Sequence, residues 1–190
     1  MIPSWTAEGV IPPIRPGRAG HDQDRAPYRT TLIAVVDSFG LSSARREILW
    51  GLIEFRRELR GVGIREGFQW LDGSLFEDVE RTRLSPPSDV DVVTFAALGD
   101  EEAQSELFQR APHLFEPRAA KRRYRVDSYF VRLGDPLGLP EVQSVSYWYS
   151  MWSHRRGDQL WKGFAQVALE ENDDAALARL EELGTEGGAT

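Results

Sequence analysis

The chain contains no cysteine. That excludes disulfides, thiolate-held metals and a cysteine nucleophile. Histidine is nearly as scarce, with three residues, so a zinc site built from imidazoles is poorly supplied. Positive charge is in the minority: 23 lysines and arginines face 30 aspartates and glutamates, for a formal net charge of −7. A surface of that sign does not coat duplex nucleic acid non-specifically. Long apolar runs are missing too. No stretch approaches the roughly 18–20 residues of a membrane span. The opening MIPSWTAEGVIPP is too polar and too rich in proline for a secretory signal. The expectation is a cytoplasmic protein with no membrane partner.

What is present suits an ordinary globular domain. Hydrophobic residues make up 41% and charged residues 28% of 190, enough to bury a core without covalent staples. Residues 1–27, with Pro3, Pro12, Pro13, Pro16 and Pro27, read as an extended arm with a short strand near Gly9–Ile11, wrapping this domain or a neighbouring subunit. Residues 28–184 read as the folded domain, and 185–190 as a flexible tail. Tyr28–Phe39 predicts a short helix stopped by Gly40. A longer helix follows, capped by Ser42 or Ser43 with Glu47 as a capping-box partner. Ile48, Leu49, Leu52, Ile53, Phe55 and Leu59 form its apolar stripe, and Gly61 and Gly63 end it. The basic groups Arg45-Arg46, Arg56-Arg57, Lys121-Arg122-Arg123 and Arg155-Arg156 read first as solvated helix faces.

Downstream, the pattern gives strands at 68–71, 89–95, 124–133 and 160–170. Between and after them it gives helical segments at 100–109, 117–123, 140–154 and 173–183, with Gly134-Asp135-Pro136 as a turn. The helix over 140–154 is unusually aromatic. Tyr147, Trp148, Tyr149 and Trp152 fit a core or subunit interface, and less often a base-stacking surface. Helices followed by strands separated by helices predict an α+β fold, a small mixed sheet backed by helices.

One stretch resists a purely structural reading. In Asp89-Val90-Asp91-Val92-Val93-Thr94-Phe95, two aspartates stand at the head of an apolar strand, two residues apart and so on one face. Ionised carboxylates so close repel, and burial makes that worse. A divalent ion removes the penalty, and Mg²⁺ prefers carboxylate oxygen, with Mn²⁺ as a substitute. Asp127, again inside a strand pattern, supplies a third carboxylate. Two-metal phosphoryl transfer uses such a trio. Upstream, Gly73-Ser74 follows a strand. A glycine there lets backbone approach a phosphate, and the serine hydroxyl adds a donor. Lys162 and Arg155 or Arg156 are candidates to neutralise a triphosphate. His154 reads as a helix-end residue, and Glu77 and Asp78 as solvated.

Gly73-Ser74, the acid-x-acid pair Asp89 and Asp91, and the later acid Asp127 together resemble the signature of the polymerase-beta-like nucleotidyltransferase superfamily. The spacer is at the long end of that pattern, with 77–88 read as a surface insertion. The chain is also similar, over most of its length, to a bacterial family of mostly uncharacterised nucleotidyltransferase-like proteins. The matching segments are MIPSW…GVIPP, YRTTL…RREILWGLIEFRREL, GFQWLDGS, DVDVVTF and YWYSMWSHRRGDQLWKGF. The resemblance implies the superfamily fold, metal binding by Asp89, Asp91 and Asp127, and activation of the attacking hydroxyl by Asp127. It implies transfer of a nucleoside monophosphate from a triphosphate such as ATP or dATP, with release of pyrophosphate.

The acceptor is open. About 60 residues follow Asp127, little room for a domain that grips a nucleic acid. The leading expectation is a template-independent enzyme making a nucleotide signal or short oligonucleotide, self-primed in one version, in bacterial anti-phage defence. The alternatives are a toxin or regulator that nucleotidylates a partner protein or a tRNA, and a non-catalytic antitoxin or binding module. An effector protein partner and a homo-oligomer both fit these expectations.

Overall fold

The computed structural model describes residues 1–134 and 138–186. The stretch expected to be one helix from Tyr28 to Phe39 divides in two. Tyr28–Thr30 is a strand (β1) and Leu32–Phe39 a helix (α1). Thr31 makes the break: its backbone is extended and its hydroxyl accepts the Ala34 N–H. Ser42 then caps the long helix α2, Ser43–Gly61, and the predicted apolar stripe is buried throughout. Glu47 lies too far along to close a capping box and pairs with Arg125 instead, at 2.9 Å. The remaining elements are β2 (Gly67–Asp72), a 3-10 turn (Ser74–Phe76), α3 (Val79–Thr82), β3 (Val90–Ala96), α4 (Glu101–Arg110), α5 (Pro112–Phe115), α6 (Pro117–Tyr124), β4 (Val126–Arg132), α7 (Leu139–Trp152), β5 (Ala165–Ala168) and α8 (Asp174–Glu186). Strands β4 and β5 are shorter than the sequence pattern suggested. Helix α8 runs on into the expected tail. Asp135, Pro136 and residues 187–190 lie outside the described residues.

The five strands form one mixed sheet in the order β1-β5-β2-β3-β4. Strand β2 runs antiparallel to both neighbours, while β1 with β5 and β3 with β4 are parallel. Alternation along β2 and β3 puts Leu71, Val90, Val92 and Thr94 on one face, all fully buried. Helix α2 lies behind that face. Its Arg56 is 0% exposed and bonds Gln69 (2.7 Å), Asp173 (2.8 and 3.0 Å) and the Ala168 carbonyl (2.8 Å). Gln69 in turn donates to Thr94. The arginine pairs of α2 are therefore not solvated faces: Arg45 and Arg56 turn inward, and only Arg46 and Arg57 face out. Periodicity alone does not show this, because a guanidinium enters a core wherever enough acceptors meet it.

The opposite face is aromatic at one end and acidic at the other. Phe68 stacks on Phe95 there, and Trp70 packs against Phe95 at a tilt. Helix α7 covers them, with Tyr149 against Trp70 and Phe164, and Trp148 against Tyr129. The aromatics of α7 thus pack on the sheet through Trp148, Tyr149 and Trp152, while Tyr147 stays exposed. The N-terminal arm wraps its own domain. Ile2, Val10 and Ile11 are buried, and Trp5 donates to the Phe76 carbonyl. Gly9–Ile11 forms no strand, although the Ile11 carbonyl accepts the Gly163 N–H. Among the described residues no helix is long and apolar enough to cross a membrane.

Candidate metal centre

The sheet register aligns three aspartates. Asp72 on β2 lies opposite Asp91 on β3, and Asp91 opposite Asp127 on β4. They form a row across the acidic end of that face. Asp89, two residues before Asp91, adds a carboxylate beside the row. Oxygens of Asp89, Asp91 and Asp127 all lie within 4.8 Å of one another. That is close to the ~4 Å that separates opposite oxygens around an ion holding them at about 2.1 Å. The donor set is all carboxylate, hard and anionic, and fits Mg²⁺ or Mn²⁺ rather than a metal that prefers nitrogen or sulfur.

The electrostatics match that crowding. Burial, followed by the charges of Asp72, Asp89 and Asp127, pushes the Asp91 carboxyl up to about 7. Burial raises Asp72 to about 6, although the Lys162 ammonium pulls the other way. Burial and the neighbouring Asp127 push the Tyr129 phenol up as well. In the metal-free protein, Asp91 therefore holds a proton well above the ordinary carboxylate range.

Gly73 sits against this row for a steric reason. Its φ of +86° with ψ of −167° is a conformation open essentially only to glycine. A Cβ there would meet the Asp91 Cγ and backbone nitrogen at 3.0 Å. Gly73→Ala is expected to lower stability by about 1–3 kcal/mol and to displace the Asp91 carboxylate. Urea unfolding checks the first effect, and an unchanged midpoint would contradict it.

Ser74 braces the turn. Its hydroxyl donates to the Asp89 carbonyl (3.2 Å) and accepts the Ser88 N–H (3.1 Å), while the Ser88 hydroxyl bonds the Asp89 carboxylate (2.8 Å). Arg45, 1% exposed, clamps the next residues through the carbonyls of Leu75 and Glu77 and the carboxylate of Glu80, under the Trp5 ring. Only 81–86 of the expected surface insertion is continuously exposed, and Val79 is in the core.

The expected site residues are only partly gathered. Asp89, Asp91, Asp127, Gly73 and Ser74 share one corner. Lys162 reaches the same corner through Asp72 and is 4% exposed, with its ammonium 2.5 Å from both Asp72 oxygens and 3.6 Å from Glu77. Glu77 is buried rather than solvated, because Arg83 and Lys162 compensate it. Asp78 is partly buried and pairs with Arg81. Arg156 is exposed in the turn after α7, Arg155 is held by Asp158 and the Glu8 carbonyl, and His154 is exposed.

Three contributors escaped the sequence reading. Asp72 directly precedes Gly73-Ser74, and its parity with Phe68 and Trp70 was a usable signal. Lys121, which read as part of a solvated basic run, bonds Asp89 and lies 3.7 Å from Asp127. Arg45 gave no sequence signal, since its acceptors are carbonyls of a distant turn.

Fold and site define a small α+β domain with an aspartate cluster able to bind a metal. Residues 3–168 match the family of unknown function DUF6932, and the chain belongs to that family. Neither a curated protein nor a solved structure matches it.

Proposed function

We propose that the protein is a divalent-metal-dependent nucleotidyltransferase of the polymerase-beta-like kind, moving a nucleoside monophosphate from a triphosphate to a hydroxyl. The observation that carries this is the convergence of Asp89, Asp91 and Asp127 within 4.8 Å, beside a glycine-serine turn. Asp89, Asp91 and Asp127 would hold Mg²⁺ or Mn²⁺, which would supply charge for the phosphates and lower the pKa of the acceptor hydroxyl. Asp127 takes the hydroxyl proton, the oxygen attacks the α-phosphorus, and the bond to pyrophosphate breaks. Gly73 and Ser74 leave room for phosphate oxygens at the turn. Lys162 acts through Asp72, offsetting the charge of that buried carboxylate, and the exposed Arg156 is free to meet a triphosphate.

The biological setting proposed is a template-independent enzyme producing a nucleotide signal or short oligonucleotide in anti-phage defence. A second reading, nucleotidylation of a partner protein, is favoured by one observation. Leu139, Val142, Tyr147 and Met151 of α7 are exposed, an uncharged helix face suited to a protein partner.

The test is incubation with Mg²⁺ or Mn²⁺ and each labelled NTP and dNTP, beside an Asp89→Ala/Asp91→Ala control. Products are read on a denaturing gel and by intact protein mass. A ladder or adduct that disappears in the control is the expected result for signal synthesis or self-priming. Products that form only when a cognate protein is added would favour the second reading. Equal product from the control would refute both.

A further inference from the structure

Twenty-three side chains of this protein are lysine or arginine, and only two of them, Lys121 and Lys162, are lysine. Both face the aspartates of the candidate site. They do so differently. Lys162 is enclosed, fixed on both oxygens of Asp72. Lys121 stands on the last turn of α6, and its side chain is 49% exposed. Its ammonium bonds Asp89 and lies 3.7 Å from Asp127. It therefore bridges two of the three carboxylates that would ligate a metal.

The residue type matters. A guanidinium is a broad plane with a fixed fork of donors. An ammonium is a compact point charge on a flexible four-carbon stem. Such a group takes a position between two converging carboxylates and leaves it by rotation about its stem. The backbone here is well anchored: a Cβ on Gly51 of α2 would lie 1.9 Å from the Tyr124 carbonyl oxygen, so α6 packs directly on α2.

We propose that Lys121 is the built-in counter-cation of the aspartate cluster, bridging Asp89 and Asp127 while no metal is bound and displaced into solvent when a divalent ion enters. The proposal rests on the reading of Asp89, Asp91 and Asp127 as a metal site. Both cations draw on the carboxylates of Asp89 and Asp127, so they compete. Three carboxylates within 4.8 Å repel, and a tethered ammonium relieves part of that repulsion. An ion pair with one half-exposed partner is weak, so release is easy and the lysine acts as a modest competitor rather than a block.

The experiment is residue-resolved amine acylation of the full chain with an N-hydroxysuccinimide acetate, with and without Mn²⁺, read by mass spectrometry. Mn²⁺ binding is measured separately by electron paramagnetic resonance. Mn²⁺ is expected to speed acylation of Lys121 about fivefold and to leave Lys162 unchanged. Lys121→Gln is expected to bind Mn²⁺ about fivefold more tightly than the parent. Arg122→Gln removes the same charge from an exposed neighbouring position and is expected to change affinity by less than about twofold.

Bound Mn²⁺ with Lys121 acylation unchanged or slowed would overturn the proposal while leaving the metal site standing. Equal tightening in the two variants would do the same, since it would reflect net charge alone. No Mn²⁺ binding in the parent or in either variant would overturn the metal-site reading, and this proposal with it.

Discussion

Asp91→Asn is expected to stabilise the metal-free protein by on the order of 3 kcal/mol at pH 8 and to change little at pH 4. The cause is the raised carboxyl. Burial and three neighbouring carboxylates push Asp91 up to about 7, against about 3.9 in an unfolded chain. Below pH 4 both states hold the proton. Between pH 4 and 7 the folded state holds it and the unfolded state does not, so stability falls as pH rises through that window. Above 7 the full penalty of a buried, crowded charge is present. Asp72, raised by burial to about 6, adds a contribution of the same sign. Acids lowered by their partners, such as Glu58 and Glu80, act only below about pH 4.5, where the slope reverses. Asparagine fills the same volume and donates to the flanking carboxylates, so it removes the penalty without a cavity. Urea unfolding in EDTA at pH 4 and pH 8 reads the effect. The same substitution is expected to lower any metal-dependent transfer by about 10³-fold or more, because a ligand of the reacting centre is gone. A variant that is more stable yet inert would mark Asp91 as a residue kept for chemistry at the expense of stability.

Arg56→Ala is expected to destabilise by about 3–5 kcal/mol. Arg56 is fully buried and makes four hydrogen bonds, to Asp173 twice, Gln69 and the Ala168 carbonyl. These tie α2 to β2, β5 and the start of α8. Truncation leaves Asp173, 5% exposed at its side chain, with Arg60 as its remaining ion-pair partner at 2.7 Å. A buried carboxylate short of donors, and a Gln69 oxygen without one, carry the loss. Arg57, the next residue, is 53% exposed at its side chain and pairs with Glu54. Arg57→Ala is therefore expected to change stability by less than about 0.5 kcal/mol. Chemical denaturation of the two variants side by side makes the comparison. A loss under about 1 kcal/mol at Arg56 would show that the core network can relax around the gap.

Much of this is visible in the sequence because apolar periodicity is written locally. The stripe from Ile48 to Leu59, the alternation from Val90 to Phe95 and the aromatic run Tyr147–Trp152 each announce an element, and the first also its buried side. The pair Asp89 and Asp91 announces the site, since two carboxylates at the head of a core strand have no comfortable structural explanation. What stays hidden depends on register and on acceptors far away in the chain. Asp72 joins the row only because β2 pairs with β3 at Asp91. Tyr28–Thr30 becomes a strand only because β5 offers a parallel edge across more than a hundred residues. Arg45 and Arg56 go inward because carbonyls and carboxylates from distant segments meet them, and Lys121 leaves its basic run for the same reason. Each hidden feature is a polar contact made at long range, where no local pattern reports it.

The most direct measurement is a calorimetric titration of the metal-free protein with Mn²⁺ at pH 7.5, repeated with Asp91→Asn and in competition with Mg²⁺. If Asp89, Asp91 and Asp127 form a metal centre, the parent binds Mn²⁺ saturably, Mg²⁺ competes, and the variant loses the binding. No saturable binding by the parent, or binding undiminished in Asp91→Asn, would contradict that claim.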